Sequence, residues 1–154
     1  MTWFTSSRES EAVLAAERSA IWEILTDPDA IVRLTPFLES IDATDDTWVW
    51  HLGGIDVLGI EISPSFTEKM TYDEGRQIDF NHAPPQGADE KAGAEGRYTL
   101  TDTDDGTHLA ISLEVSVDLP LPKFSSPAVS TTMKTVIASM GNGFAKRLEK
   151  ELGL

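Results

Sequence analysis

Three side chains that can transfer protons stand on predicted β-strands of this chain, namely Glu68, His82 and Tyr98. Successive residues of a strand point to opposite faces, so His82 shares a face with Ile78 and Phe80. A histidine in that position serves either as a proton-transfer group or as a partly exposed structural residue at a strand end. The Tyr98 hydroxyl needs a partner when it is buried, which is either a ligand oxygen or a neighbour such as Glu68. If the protein is an enzyme, these three residues are the predicted catalytic acid/base set.

Glu68 lies in an apolar stretch whose alternation places it on one face with Phe66 and Met70. A carboxyl group among apolar neighbours has a raised pKa and suits general acid or base chemistry. A bulge at Pro64 would instead shift the register by one residue and turn Glu68 toward solvent. We favour the solvent-facing position.

The other chemistry-bearing residues argue against several kinds of site. The chain has no cysteine, so it has neither a disulfide nor a thiol nucleophile. Its three histidines, His51, His82 and His108, stand on separate predicted strands, which argues against a three-histidine metal site. Sequences typical of zinc proteases, serine hydrolases, P-loops and dinucleotide-binding turns do not occur. We therefore predict no metal and no cofactor.

The composition is strongly acidic. Twelve Lys and Arg stand against 26 Asp and Glu, which gives the 154 residues a formal charge of −14. This balance argues against nucleic-acid binding, which needs a basic surface, and against anionic membrane surfaces. The first residues lack the pattern of a signal peptide, and no stretch reaches the roughly 20 apolar residues of a membrane span. We expect a cytoplasmic protein with no nucleic-acid partner and no membrane insertion; the acidity is also typical of high-salt organisms.

The strands are predicted by apolar residues that recur at every second position. The clearest is Thr107–Asp118, in which Leu109, Ile111, Leu113, Val115 and Val117 share one face. Turn sequences such as Asp104-Asp105-Gly106 separate the strands. The predicted strands are residues 4–15, Leu38–Ala43, Thr47–Leu52, Leu58–Tyr72, Arg76–His82, Gly96–Asp102 and Thr107–Asp118.

Two short helices are predicted after the first strand, and one long helix is predicted at the C-terminus. The first covers Glu17–Thr26, and the second begins at the cap Asp27 and ends before Pro36. The long helix of about 26 residues is expected to have Ser126 as its N-cap and Pro127 at its first position. Its apolar stripe needs a broad apolar surface, which the antiparallel sheet provides.

Two segments are candidates for motion. Gly141 and Gly143 interrupt the long helix, where each costs about 1 kcal/mol relative to alanine. They either permit close approach of the helix to the sheet, which we favour, or let the helix bend to admit a ligand. Replacing both with alanine is expected to stabilise the helix and slow ligand exchange. The irregular segment 83–93 is a second candidate lid, although polar loops of this kind are usually mobile surface.

The segment from Ala16 to Pro28 reads Ala-Glu-Arg-Ser-Ala-Ile-Trp-Glu-Ile-Leu-Thr-Asp-Pro. It resembles the first-helix signature of the START/Bet v 1-like (SRPBCC, polyketide cyclase/dehydrase-like) superfamily, in which an aromatic residue precedes a Leu-x-Asp-Pro stop. Thr47-Trp48, Gly96-x-Tyr98 and Gly106-Thr107-x-Leu109 also stand where that family places its strands, so the resemblance covers essentially the whole chain, a single domain of residues 1–154.

The resemblance implies an α+β helix-grip fold, with a curved antiparallel seven-stranded sheet wrapped around a long C-terminal helix and two short helices after strand 1. A cavity lies between sheet and helix in that fold. Trp48 and Trp50 face the same side of their strand and would be apolar walls, although such a pair is more commonly core. The residues predicted to line the ligand pocket are Trp48, Trp50, Phe66, Glu68, Met70, Phe80, His82, Tyr98, Leu113, Met133, Ile137 and Met140.

The function that the resemblance implies is binding of a hydrophobic small molecule, such as a lipid, an isoprenoid or a polyketide, by a monomer or weak homodimer. The alternative is an aromatase/cyclase-type enzyme, whose cavity polar groups steer an aldol condensation and dehydration. Such family members tend to carry Arg and Tyr inside the cavity; here Tyr98 is available, but Arg97 is expected to point away. A third reading is an interaction module that uses the basic segment 119–154, with five basic and two acidic side chains.

Overall fold

The computed structural model describes residues 2–154, which form nine strands, three α-helices and a short 3-10 turn at Lys123–Ser125. The two short helices follow the first strand, and the longest helix ends the chain. In chain order the elements are β1 (Thr2–Leu14), α1 (Arg18–Leu25), α2 (Pro28–Leu34), β2 (Leu38–Thr44), β3 (Thr47–Leu52), β4 (Ile55–Val57), β5 (Ile60–Ile62), β6 (Ser65–Asp73), β7 (Gln77–His82), β8 (Ala92–Thr103), β9 (Gly106–Leu119) and α3 (Ser126–Glu151).

Seven strands form one antiparallel sheet in the order β1-β9-β8-β7-β6-β3-β2. The longest pairing joins β1 to β9, from Thr2 opposite Leu119 to Leu14 opposite Thr107. The helix α3 packs along β1 and contributes Val129, Met133 and Ile137 to the buried interior. The predicted helix-grip arrangement, with seven strands around the C-terminal helix, is therefore the observed one.

The stretch Leu58–Tyr72, predicted as one long strand, is divided in the structure. Strands β4 and β5 pair only with each other, and β6 begins at Ser65, just after Pro64. Leu58 and Gly59 form the turn between them with φ angles of 53° and 83°. Two successive residues with positive φ close a tight hairpin, so the chain reverses at Leu58 rather than continuing.

Strand β8 begins at Ala92, four residues earlier than predicted, and includes Gly93 and Gly96, the first of which was expected in a loop. Both glycines lie under rings of β7. A side chain at position 93 would overlap the His82 ring, and one at position 96 would overlap Phe80. The two glycines therefore belong to the strand because the neighbouring rings need their space.

The helix ends follow the predicted chemistry in part. Asp27 is the N-cap of α2, and its carboxylate accepts a hydrogen bond from the backbone N–H of Asp29 at 3.0 Å. The N-cap of α3 is Ser125, so the prediction of Ser126 was wrong by one residue. The Ser126 hydroxyl instead donates to the carbonyl oxygen of Lys123 at 2.6 Å, because the 3-10 turn before the helix already brings that oxygen within reach.

Candidate functional site

A cavity of about 390 Å³ lies between the concave face of the sheet and α3. Its walls come from most strands of the sheet, from the β4–β5 hairpin and from α3. Ile111, Leu113 and Val115 show how the sequence builds the wall, since they follow one another at every second position of β9 and all face the cavity. These three are partly exposed, whereas Leu109 and Val117, which also line the cavity at either end of this run, are buried.

The cavity reaches the surface between β1 and the second half of α3. The exposed residues of its lining all belong to these two elements, namely Ser10, Glu11, Ala12, Asn142, Ala145 and Glu149. The interior is mostly aliphatic and aromatic, whereas this mouth is mostly polar. An apolar molecule with a polar end fits such a distribution.

Glu68 is buried in the cavity wall, which overturns the solvent-facing position favoured from the sequence. Its side chain has 0% exposure, and neither carboxyl oxygen has a hydrogen-bond partner. Burial raises the pKa of the Glu68 carboxyl from 4.5 to about 9, and the negative charge of Glu95 adds to the shift. The backbone N–H of Ala94 acts against it without forming a well-made hydrogen bond. At neutral pH Glu68 is therefore a neutral carboxylic acid, which can donate as well as accept a hydrogen bond.

The register explains why Glu68 points inward. Because Pro64 lies outside β6, it causes no bulge within the strand, and Phe66, Glu68 and Met70 keep one face. Glu68 lies opposite Trp48 of β3 and opposite His82 of β7. The carboxyl group consequently stands in the middle of the sheet, where water does not reach it.

Tyr98 also lines the cavity and is buried, at 8% exposure. Its ring packs against Phe80 with the ring centroids 5.5 Å apart. Burial raises the pKa of the phenol, which stays protonated as a donor. The hydroxyl does not pair with Glu68, since both Glu68 oxygens are without a partner.

His82 lies outside the cavity lining, contrary to the position expected from strand alternation. Its ring lies against Gly93, whose neighbours Ala92 and Ala94 line the cavity, so the ring is on the outer face of β8. Its Nε2 atom is 2.8 Å from Glu90 Oε1. The alternation fails because His82 is the last residue of β7, where pairing with β8 has already ended at Asn81.

Glu90 joins the outer face of the sheet to the segment between β7 and β8. Its carboxylate accepts from the backbone N–H of Thr67 at 2.9 Å and from the Thr67 hydroxyl at 2.7 Å. Burial acts to raise the pKa of Glu90, but the hydrogen bonds from Thr67 and His82 outweigh it and hold that pKa below its usual value. The predicted lid was the segment 83–93, of which residues 83–91 are irregular in the structure because β8 begins at Ala92. Glu90 anchors this segment at its end.

Nine of the twelve predicted pocket residues line the cavity: Trp50, Phe66, Glu68, Phe80, Tyr98, Leu113, Met133, Ile137 and Met140. Trp48 and Met70 lie in the core beside it, with exposures of 2% and 1%. Trp48 instead packs on Trp50, with the ring centroids 6.2 Å apart. The two residues are on the same faces of their strands as Trp50 and Glu68, but they are not part of the cavity lining.

Arg8 is a cavity residue that was not among the twelve predicted from the sequence. It lies at the mouth, where its Nη2 donates to Asn142 Oδ1 at 3.2 Å and its buried Nε has no partner. Alternation along β1 was the available signal, since Phe4, Ser6 and Arg8 share the inner face. Arg97 points outward as expected, with its Nε 2.6 Å from Asp79 Oδ1.

Within residues 2–154, no three His, Asp or Glu side chains lie together in a way that would hold a metal ion. His51 contacts Asp42, and His108 contacts Glu11, each at a separate place on the sheet. None of the helices in this part of the chain combines the length and apolarity needed to cross a membrane.

The architecture and the cavity define a helix-grip protein with an apolar internal cavity that opens between β1 and α3. Residues 5–152 match the sequence profile of the family described as polyketide cyclase / dehydrase and lipid transport. The chain belongs to this family, which confirms the superfamily that the first-helix signature indicated. No functionally curated protein matches the chain in sequence.

Solved structures agree on the fold. The chain is similar to a START superfamily protein from Mycobacterium smegmatis, with 22% identity, a TM-score of 0.65 and coverage of 97% of both chains. A conserved protein from Geobacillus kaustophilus has 18% identity and a TM-score of 0.70, with 96% of this chain and 95% of that one covered. The Zhui aromatase/cyclase from Streptomyces sp. R1128 has 15% identity and a TM-score of 0.69, with coverage of 97% and 94%. At these identities the similarity establishes the fold.

Proposed function

We propose that the protein binds a hydrophobic small molecule, such as a lipid, an isoprenoid or a polyketide, between the sheet and α3. The observation that carries this proposal is the cavity of about 390 Å³ with apolar walls, a size within the roughly 300–1,000 Å³ that is typical of ligand pockets. Transfer of an apolar ligand from water into such a cavity is favourable, because apolar surface leaves water on both sides.

Native mass spectrometry of the purified protein, before and after organic extraction, tests this function. We expect an excess mass that extraction removes and that a fluorescent hydrophobic probe can replace. A Leu113→Trp variant should lose both signals, because the indole would fill the cavity from β9. Ser112→Trp is the matched control, since Ser112 is the exposed neighbour on the opposite face of the same strand. Absence of both bound mass and probe uptake in the wild type would contradict the proposal.

The second candidate is an enzyme of the aromatase/cyclase type, and the observation that favours it is the neutral carboxylic acid of Glu68 in the cavity wall. Such a group protonates a carbonyl oxygen as an enol or alcohol forms, and Tyr98 is a second donor on the same wall. The test is product analysis after incubation with a short poly-β-ketone. If this candidate is correct, we expect turnover to be lost in both Glu68→Gln and Tyr98→Phe. If the wild type forms no product, the enzyme candidate is rejected and only the binding function stands.

A further inference from the structure

Besides Arg8 Nε at the mouth, two buried polar groups of the cavity wall lack hydrogen-bond partners. They are the carboxyl of Glu68, through both oxygens, and the indole Nε1 of Trp50. Buried polar groups in folded proteins are normally paired, because an unpaired one destabilises the fold. Apart from the poorly aligned backbone N–H of Ala94 beside Glu68, the protein supplies neither group with a partner, which indicates that a ligand does.

The two groups belong to neighbouring strands and to the same face of the sheet. Trp50 lies opposite Phe66, and Trp48 lies opposite Glu68, so Trp50 and Glu68 are diagonal neighbours on β3 and β6. Their side chains share the inner face of the sheet. Diagonal neighbours are roughly 7–8 Å apart at the backbone, which is within reach of long side chains.

The surroundings of this pair decide the charge of the partner. The Trp50 ring stacks on Phe66 and lies beside Phe80, so the pair is enclosed by apolar surface. Two carboxylates, Glu90 and Glu95, act electrostatically on Glu68. No cation takes part in an ion pair with Glu68 within the part of the chain that the structure describes. Low polarity and nearby negative charge both disfavour an anion at this place.

We propose that Trp50 and Glu68 form a subsite for an uncharged oxygen of the ligand, a carbonyl or a hydroxyl. The Trp50 N–H donates to that oxygen, and the Glu68 carboxyl donates to a carbonyl or accepts from a hydroxyl. Both residues belong to the cavity lining, and in this proposal the Glu68 carboxyl turns about its side-chain torsions to meet the ligand oxygen. The ligand is then a hydrophobic molecule that carries an uncharged oxygen. A pure hydrocarbon would leave both groups without a partner, and a molecule that places an anionic group at this subsite is disfavoured. This inference rests on the proposed function.

Two probes of the same shape separate the subsite from general apolar binding. 2-Acetylnaphthalene carries a carbonyl oxygen, and 2-isopropylnaphthalene has a methyl group in its place. Their dissociation constants are measured by fluorescence titration and by calorimetry with the wild type and with the variants Glu68→Met and Trp50→Phe. We expect each variant to weaken the ketone about tenfold, the usual effect of losing one buried hydrogen bond. Binding of the hydrocarbon should change less than about threefold.

Glu114→Met is the matched control, because Glu114 is exposed on β9 and contributes nothing to the cavity lining. It should leave both probes unaffected. If the ratio of ketone to hydrocarbon affinity is the same in all four proteins, the subsite is overturned while apolar binding stands. If neither probe binds the wild type, the proposed function fails, and the subsite fails with it. The anion 2-naphthoate has a carboxylate in place of the acetyl group. If it binds the wild type as tightly as the ketone does, the proposal that the subsite takes an uncharged oxygen is overturned.

Discussion

Phe80 and Gly96 face each other across β7 and β8, and the Phe80 ring occupies the volume that a side chain at position 96 would need. The same ring forms part of the cavity wall. The position of the Phe80 ring in the cavity wall therefore depends on the absence of a side chain at position 96 of β8.

We expect Gly96→Ala to reduce both stability and ligand capacity. The added methyl overlaps the Phe80 ring and lies close to the Ser112 carbonyl oxygen, so the ring must move toward the cavity. Overpacking of this kind typically costs about 1–3 kcal/mol. Urea denaturation measures the loss, and the loss should be smaller in a Phe80→Leu background because the two positions are coupled. Equal stabilities of wild type and Gly96→Ala would contradict this packing.

Glu68→Gln is expected to become more stabilising, relative to the wild type, as the pH rises. The folded carboxyl has a pKa of about 9, against 4.5 for the unfolded reference. Below pH 4.5 the Glu68 carboxyl is neutral in both the folded and the unfolded state. Between about pH 4.5 and 9 it ionises only in the unfolded state, so the free energy of unfolding of the wild type falls by up to about 1.4 kcal/mol per pH unit. Glutamine is neutral throughout, so the difference should reach a few kcal/mol by pH 8. Urea unfolding at several pH values measures it, and a pH-independent difference would argue against the buried neutral acid.

The two glycines of α3 are expected to respond differently to alanine, contrary to the sequence-based expectation that both changes stabilise. A Cβ at position 143 overlaps the rigid Pro36 ring, whereas one at position 141 lies 3.1 Å from Nε of the flexible Arg8 side chain. The gain of about 1 kcal/mol in helix propensity should survive in Gly141→Ala and be lost in Gly143→Ala. Thermal unfolding compares the two variants. A higher melting temperature for Gly143→Ala would contradict the close contact with Pro36.

Gly141 also lines the cavity mouth, so the same variant tests gating. If the helix bends at this point to admit ligand, Gly141→Ala should slow probe dissociation measured by stopped-flow fluorescence. An unchanged rate would assign Gly141 to packing against Arg8 alone.

Glu90 should hold the segment 83–91 until its carboxylate is protonated. The pKa of Glu90 is lower in the folded state than in the unfolded state. The ionised carboxylate therefore stabilises the folded state at pH values above the unfolded-state pKa, and this stabilisation is lost as the pH falls through the folded-state pKa. Glu90→Gln should raise amide hydrogen exchange in residues 83–91 at pH 7, as acidification does in the wild type. Asp89→Asn, a change at the exposed neighbour, is the control. Equal exchange in Glu90→Gln and wild type would show that other contacts hold the segment.

Most of the architecture followed from local patterns. Alternating residues located the wall of β9, and the pair Asp27-Pro28 located the start of α2. These signals are reliable because each depends on neighbours a few residues away. The hairpin at Leu58 was missed for the same reason, since a leucine with positive φ gives no turn signal and the reversal depends on packing of β4 and β5.

The sequence by itself determined the fold, the family and most of the cavity wall, because alternation fixes which face of a strand a residue occupies. Only the tertiary structure decided whether Glu68 is buried, where His82 lies and that Arg8 stands at the mouth. Those facts depend on where pairing ends, as at His82, and on which element crosses the sheet, as α3 does beside Arg8. Burial and charge at a site arise from residues distant in sequence, so the chemistry of Glu68 becomes readable only when β3, β6 and β8 are assembled around it.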